Sequence, residues 1–375
     1  METWNYQNPV KIIFGCGSRK LLKDTVKNLK ILIVSSKRGR QFIEKDPFLL
    51  PISKNSKWID SITSNPSLDN IQKELDKSDY KDIEIIIAFG GGSSIDAAKA
   101  IAAGISIHSK KDKLYDLIKN PNDFFKRPTL PIIAIPTTSG TGAEVTPFAT
   151  IWDKKNKKKL SLQHNKIYPQ IAIVDPELTY DLPYRITISS GLDALNQALE
   201  SIWNKNKSPI SSVAASKAIK KALKALPFLN KNLKNIEARK LISEASLLSG
   251  ISISQTRTAI CHSISYPLTA KYGIEHGIAC AFTMYAVSKK VNAFKKNIFS
   301  DVLKETDLGT SESFINQIKE IVTMFKVREN VEMKLANKDE IYTLINEMIT
   351  PGRSDNFILP INQDLIKDIL EESLR

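Results

Sequence analysis

The chain has 375 residues, 42% hydrophobic and 25% charged, which is globular composition over a length that suits two domains rather than one core. No run of 18 apolar residues occurs and the opening METWNYQNPVKIIFG lacks a signal-peptide layout, while three scattered cysteines (Cys16, Cys261, Cys280) make no disulfide framework; a cytoplasmic setting is expected. The formal charge of +14 comes from lysines interspersed with acids, only KKNKKK at 154–159 being dense, so a basic surface is favoured over a nucleic-acid partner.

In chain order, KILIVSS (30–36), IEIIIAFG (83–90), LPIIAIPT (130–137) and IAIVDP (171–176) are short, β-branched runs closed by Gly, Pro or Ser, and read as buried strands. SSIDAAKAIAAGI, between the second and third, reads as a helix with serine at its start. Strands alternating with helices predict an α/β domain with a parallel, Rossmann-like sheet. FATIW and KLSLQ flank the lysine run and predict a hairpin with 154–159 at its tip. After about residue 180 the apolar spacing changes to three and four. The expected domains are therefore 1–179, α/β, and 180–375, all-helical, joined near PELTYDLPYR, with a cleft between them as the default site.

AFGGGSSIDAAKA places Gly90, Gly91 and Gly92 between a strand and a helix. Glycines there let backbone amides approach a phosphate, and the helix N-terminus adds favourable partial charge. The segment is neither GxGxxG nor a Walker loop, and a tight turn alone would explain it. A second strand end, IPTTSGTGAEVT (135–146), offers hydroxyls and bare backbone to the same ligand, which favours a dinucleotide site.

Of four histidines, His108 and His164 lie among polar residues and read as surface positions. His262 and His276 lie in CHSISYPLTAKYGIEHG. Pro267 is expected to break the helix holding the first, and a turn at Gly273 to fold the second back beside it. GLDALNQALE puts Asp193 and Gln197 on one helix face. Asp193, His262 and His276 would make three ligands with an open fourth position, as a catalytic metal needs.

GGGSSIDAAKA, PTTSGTGAEVTPFATI, GLDALNQALES and HSISYPLTAKYGIEHGIACAF together resemble the iron-containing (group III) alcohol dehydrogenases, relatives of glycerol dehydrogenase and dehydroquinate synthase. The resemblance implies a nicotinamide-dependent interconversion of alcohol and carbonyl, a metal that polarises the carbonyl, and a dimer or larger homo-oligomer. Carried over, Asp193, His262 and His276 match three metal ligands, while the fourth, a histidine in the family, is Gln197 here. Its carbonyl oxygen is a weaker ligand than imidazole, so Gln197 is either a neutral ligand or a neighbour, and iron and zinc stay equally open. A further family histidine is Tyr266, a candidate proton donor. The phosphates are expected on Gly91, Gly92 and Ser93 with Thr137 and Thr138, and Thr141 nearby. Asp96 is expected on the nicotinamide side, and Lys159, with Lys157 and Lys158 as its alternatives, at the cofactor ribose.

In ILIVSSKRG, Ser36, followed by Lys37 and Arg38, stands where NAD-preferring relatives carry an aspartate. The exchange removes repulsion of a 2′-phosphate and supplies cations for it, so NADP(H) is expected over NAD(H). LDALNQALESIWN, SISYPLT and PGRSDNFILPIN are most similar to the phosphonoacetaldehyde reductase (2-hydroxyethylphosphonate dehydrogenase) branch. Arg257 is then the first candidate for a dianionic head group, followed by Lys205, Lys207 and Arg353. Sulfoacetaldehyde, uncharged small aldehydes, a lyase reaction on the same fold and a metal-free binding protein are the alternatives.

Overall fold

Apolar runs of four to six residues with both faces covered form strands that need partners on each side. The computed structural model, which describes residues 3–77, 80–105, 113–124, 129–156 and 158–375, pairs them in one parallel sheet. Its strands are β1 (Lys11–Phe14), β2 (Ile31–Val34), β3 (Lys57–Ile59), β4 (Ile85–Gly90), β5 (Ile132–Pro136) and, after a hairpin of β6 (Phe148–Asp153) and β7 (Lys158–Gln163), β8 (Ile171–Val174). The order is β3-β2-β4-β5-β8-β1. The four inner strands coincide with the four apolar runs. β1 and β3 are edge strands of four and three residues, partly exposed, and carry no such run. His108 and Lys157 fall outside the described residues.

Two compact units are present. The α/β unit runs from Asn8 to Thr138 and Ala143 to Thr179. Its chain leaves β2 toward β3 and leaves β4 toward β5, in opposite directions across the sheet. The carboxyl ends of β2 and β4 therefore flank a switch point, the place where open α/β sheets receive ligands.

The helical unit comprises Tyr180–Arg375 with residues 3–7 and Ser139–Gly142. Helices Tyr184–Ile202, Pro209–Lys231 and Ile236–Thr256 pack through alanine, serine and glycine, and Trp203, Phe299 and Phe314 fill the core beside them. Pro267 does not break its helix: Ile260–Tyr272 continues through it and ends at Gly273, whose φ of 64° closes the C-terminus. The proline forfeits one backbone bond in a segment whose neighbours are buried, and tertiary packing holds the helix together. Among the described residues no helix is long and apolar enough to cross a membrane.

Candidate functional site

Helix Tyr184–Ile202 brings Asp193, Gln197 and Glu200 onto one buried face, spaced four and seven residues apart. His262 stands on helix Ile260–Tyr272, and His276 opens helix His276–Phe282 just after the Gly273 turn. Gly277 permits that approach: a Cβ there would lie 1.7 Å from the Ser189 carbonyl oxygen, one turn before Asp193. The two imidazoles meet edge to face with centroids 5.2 Å apart. Asp193 Oδ1 is 3.3 Å from His262 Nε2 and 4.0 Å from His276 Nε2.

Glu200 orients this group from behind. Its carboxylate accepts from the Ala259 and His262 backbone amides at 2.8 and 3.1 Å and lies 2.7 Å from His262 Nδ1. A carboxylate only accepts here, so Nδ1 carries a proton, and Nε2 faces Asp193 as a donor when the ring is charged and as a lone pair when it is neutral. Asp193 Oδ1 is buried and accepts no hydrogen bond. An imidazole lone pair and a carboxylate oxygen at that distance require positive charge between them. Burial disfavours the charged His262 ring, but Cys280, Glu200 and Asp193 outweigh it and pull its pKa well above the ordinary value. Cys280, one turn after His276, completes a set of four donor atoms within 4.8 Å of one another. Burial raises its thiol, and the two histidines more than reverse that, bringing it down to about 7. The donors and the orphaned oxygen fit a divalent cation.

Glu200 was not among the residues singled out from sequence; its signal is the seven-residue spacing from Asp193. Glu200→Gln is expected to weaken divalent-metal binding by about 10- to 100-fold, read by chelator competition, because the second partner of a ligating histidine sets ring and tautomer. Unchanged affinity would detach Glu200 from the site.

Gln197 is a neighbour in this geometry. Its Nε2 donates to Asp193 Oδ2 at 3.0 Å, and its Oε1 faces Ser249 Oγ at 3.3 Å. Tyr266 stacks on His276 with centroids 6.4 Å apart, and Arg353 Nε donates to Tyr266 Oη at 3.2 Å. Arg257 reaches the turn that carries Arg353: a Cβ on Gly352 would lie 3.5 Å from Arg257 Nη1, and burial, then the Arg353 charge, lowers the Arg257 pKa. Both guanidinium side chains are half-buried. Lys205 is instead exposed and donates to the Asp355 carbonyl at 3.1 Å, and Lys207 lies two residues further on the same loop.

In the α/β unit, Gly91 and Thr138 lie side by side: a Cβ on Gly91 would meet Thr138 Oγ1 at 3.1 Å, and Thr137 N–H donates to Gly90 O at 2.9 Å. Gly92 begins helix Gly92–Ile105, and Ser93 Oγ accepts from the Asn65 amide at 3.3 Å. Ser36 caps helix Lys37–Ile43 by accepting from Gly39 N–H at 3.1 Å, with Lys37 and Arg38 exposed in its first turn. Ser35 Oγ donates to Phe89 O at 2.7 Å, so this cap neighbours the glycine loop. Asp96 uses Oδ2 to accept from Thr150 N–H at 2.8 Å, which ties the phosphate helix to the hairpin. Burial raises the Asp96 pKa, opposed by Lys99, Thr150 and Lys159. Lys159 is half-buried beside it while Lys158 is exposed. Thr141 falls in the helical unit.

A family model for iron-containing alcohol dehydrogenases matches residues 9–176, and one for the C-terminal part of that family matches residues 187–374. The chain belongs to the iron-containing alcohol dehydrogenase family. Among its relatives, sulfoacetaldehyde reductase of Bilophila wadsworthia is 31% identical over 84% of the chain and 83% of that protein. Phosphonoacetaldehyde reductase of Streptomyces viridochromogenes is 37% identical over 54% of the chain and 51% of that protein. The crystal structure of sulfoacetaldehyde reductase from Bifidobacterium kashiwanohense with NAD+ superposes with a TM-score of 0.87 at 27% identity, covering 100% of this chain and 99% of that one.

Proposed function

We propose that this member of the iron-containing alcohol dehydrogenase family reduces a small aldehyde with an anionic head group, phosphonoacetaldehyde first and sulfoacetaldehyde second, using NADPH and a divalent metal. The observation that carries the reading is the Arg257 and Arg353 pair beside Tyr266, which itself stacks on His276. Two half-buried guanidinium groups repel each other unless an anion joins them, and a phosphonate or sulfonate has the oxygens to do so. Arg257 also has φ 62° and ψ 178°, a backbone region that glycine fills at little cost and arginine does not. Its amide bonds Ile253 O at 2.8 Å and its carbonyl accepts from Thr256 Oγ1 at 2.9 Å, so the strained turn is held and aims the side chain.

Asp193, His262 and His276 would hold the metal, with Glu200 orienting His262. A divalent cation supplies Lewis acidity toward a carbonyl oxygen when bound. The chain itself buries Asp193 and His262, leaves His276 partly exposed and positions Tyr266. Because Arg353 donates to Tyr266 Oη, the hydroxyl's own proton is directed toward another acceptor, as a proton donor requires.

The test is NADPH oxidation by metal-loaded protein with phosphonoacetaldehyde, sulfoacetaldehyde and propanal. An anionic aldehyde is expected to exceed propanal in kcat/KM by about 100-fold, the worth of charge-assisted hydrogen bonds. Equal values would leave an alcohol dehydrogenase without an anion site. Arg257→Gly separates strain from function. It is expected to raise Tm by relieving the backbone while lowering kcat/KM for the anionic aldehyde about 10- to 100-fold, with propanal little changed.

For the cofactor, Lys37 and Arg38 put two cations at a helix N-terminus, where the dipole disfavours them and a phosphate would be welcomed. Ser36→Asp is expected to shift the NADPH-to-NADH ratio of kcat/KM toward NADH by about tenfold or more. An unmoved ratio would remove residue 36 from cofactor selection.

A further inference from the structure

The family's fourth ligand position holds Gln197, and this glutamine is already committed. Its amide nitrogen donates to Asp193 Oδ2 at 3.0 Å. Turning the amide to present oxygen to the site would set that oxygen against a carboxylate. The donor set nevertheless has a fourth member from a different helix. Cys280 lies four residues after His276 on helix His276–Phe282, so both side chains project from one face. Its Sγ is buried and 3.8 Å from each ring nitrogen of His276.

We propose that Cys280 Sγ is the fourth protein ligand of the metal site in place of residue 197, giving an Asp193, His262, His276 and Cys280 donor set to which a substrate oxygen would add as a fifth ligand. The inference rests on the metal-dependent reading above. Around one centre, oxygen and nitrogen donors at ~2.0–2.1 Å and a thiolate at ~2.3 Å stand roughly 3.3 and 3.6 Å apart when tetrahedral. The observed separations are 3.3 Å for Asp193 Oδ1 to His262 Nε2, 4.0 Å for Asp193 Oδ1 to His276 Nε2 and 3.8 Å for His276 Nε2 to Cys280 Sγ. The orphaned Asp193 Oδ1 is the acceptor such a centre would satisfy. A thiolate is a soft donor, so the substitution tilts metal choice toward zinc over ferrous iron.

Cobalt(II) reads this directly in the full-length protein. The unaltered chain and Cys261→Ser are expected to show a near-ultraviolet thiolate-to-cobalt charge-transfer band together with visible ligand-field bands. Cys280→Ser is expected to lose the first, keep the second and bind cobalt about tenfold more weakly or worse. Ligand-field bands without a charge-transfer band in the unaltered chain overturn the Cys280 assignment and leave the metal site standing. No bound cobalt in equilibrium dialysis overturns both. Zinc X-ray absorption of the unaltered protein needs no variant: one sulfur neighbour at ~2.3 Å is expected, and a shell of nitrogen and oxygen alone sinks the proposal.

Discussion

Asp193→Ala is expected to abolish stoichiometric divalent-metal binding and to cut kcat/KM by about a thousandfold or more, with far-ultraviolet circular dichroism unchanged. Asp193 stands at the centre of the site: Gln197 donates to one oxygen, and His262 and His276 approach the other at 3.3 and 4.0 Å. His262 is fixed independently by Glu200, so truncating the aspartate removes one proposed ligand without loosening the histidine. Lewis-acid polarisation is worth several kcal/mol, and each ~1.4 kcal/mol is a decade in rate. Elemental analysis with steady-state kinetics checks both parts. Retention of one metal per chain in the variant would place the metal elsewhere.

Gly277→Ala is expected to injure folding and chemistry together. The added methyl would sit 1.7 Å from Ser189 O, a backbone atom that cannot rotate away. Helices Tyr184–Ile202 and His276–Phe282 must then separate, which moves His276 from Asp193. An overpacked contact costs about 3 kcal/mol, roughly 6–12 °C in Tm for a unit of this size. A displacement near 1 Å is worth about 100-fold in rate. Gly309→Ala, with nothing within 4 Å of the new carbon, serves as the control and is expected to change neither. Equal melting temperatures for the two variants would show that the close approach is not a constraint.

The inner sheet was legible because its strands are buried on both faces and read as unbroken apolar runs. β1 and β3 were not, since a short edge strand need satisfy only one neighbour and one face. Pro267 misled in the usual direction: local chemistry predicts a break, and a packed core overrides it. Asp193, His262 and His276 stood out by residue type and motif. Glu200 and Cys280 did not, because a glutamate on a helix and a cysteine in an apolar run have ordinary explanations until distances are known. The turn at Arg257 left no trace at all, since nothing in RTAICH announces a φ that glycine would normally occupy. Gln197 was open between ligand and neighbour, and only the direction of its amide separates the two.

The helical unit also draws in residues 3–7 and Ser139–Gly142, far upstream of Tyr180. Gln7 and Gln255 exchange hydrogen bonds, amide to Oε1 at 3.1 Å and Nε2 back to carbonyl at 2.8 Å. A Cβ on Gly142 would lie 2.3 Å from Gly250 Cα, so the backbones there touch. During synthesis the parallel sheet is complete once Val174 has left the ribosome, whereas the hydrogen bonds between Gln7 and Gln255 can form only after Gln255 emerges. Nor can the chain be cut cleanly at Tyr180: a fragment beginning there would leave Gln255 and Gly250 facing solvent where they now meet earlier parts of the chain.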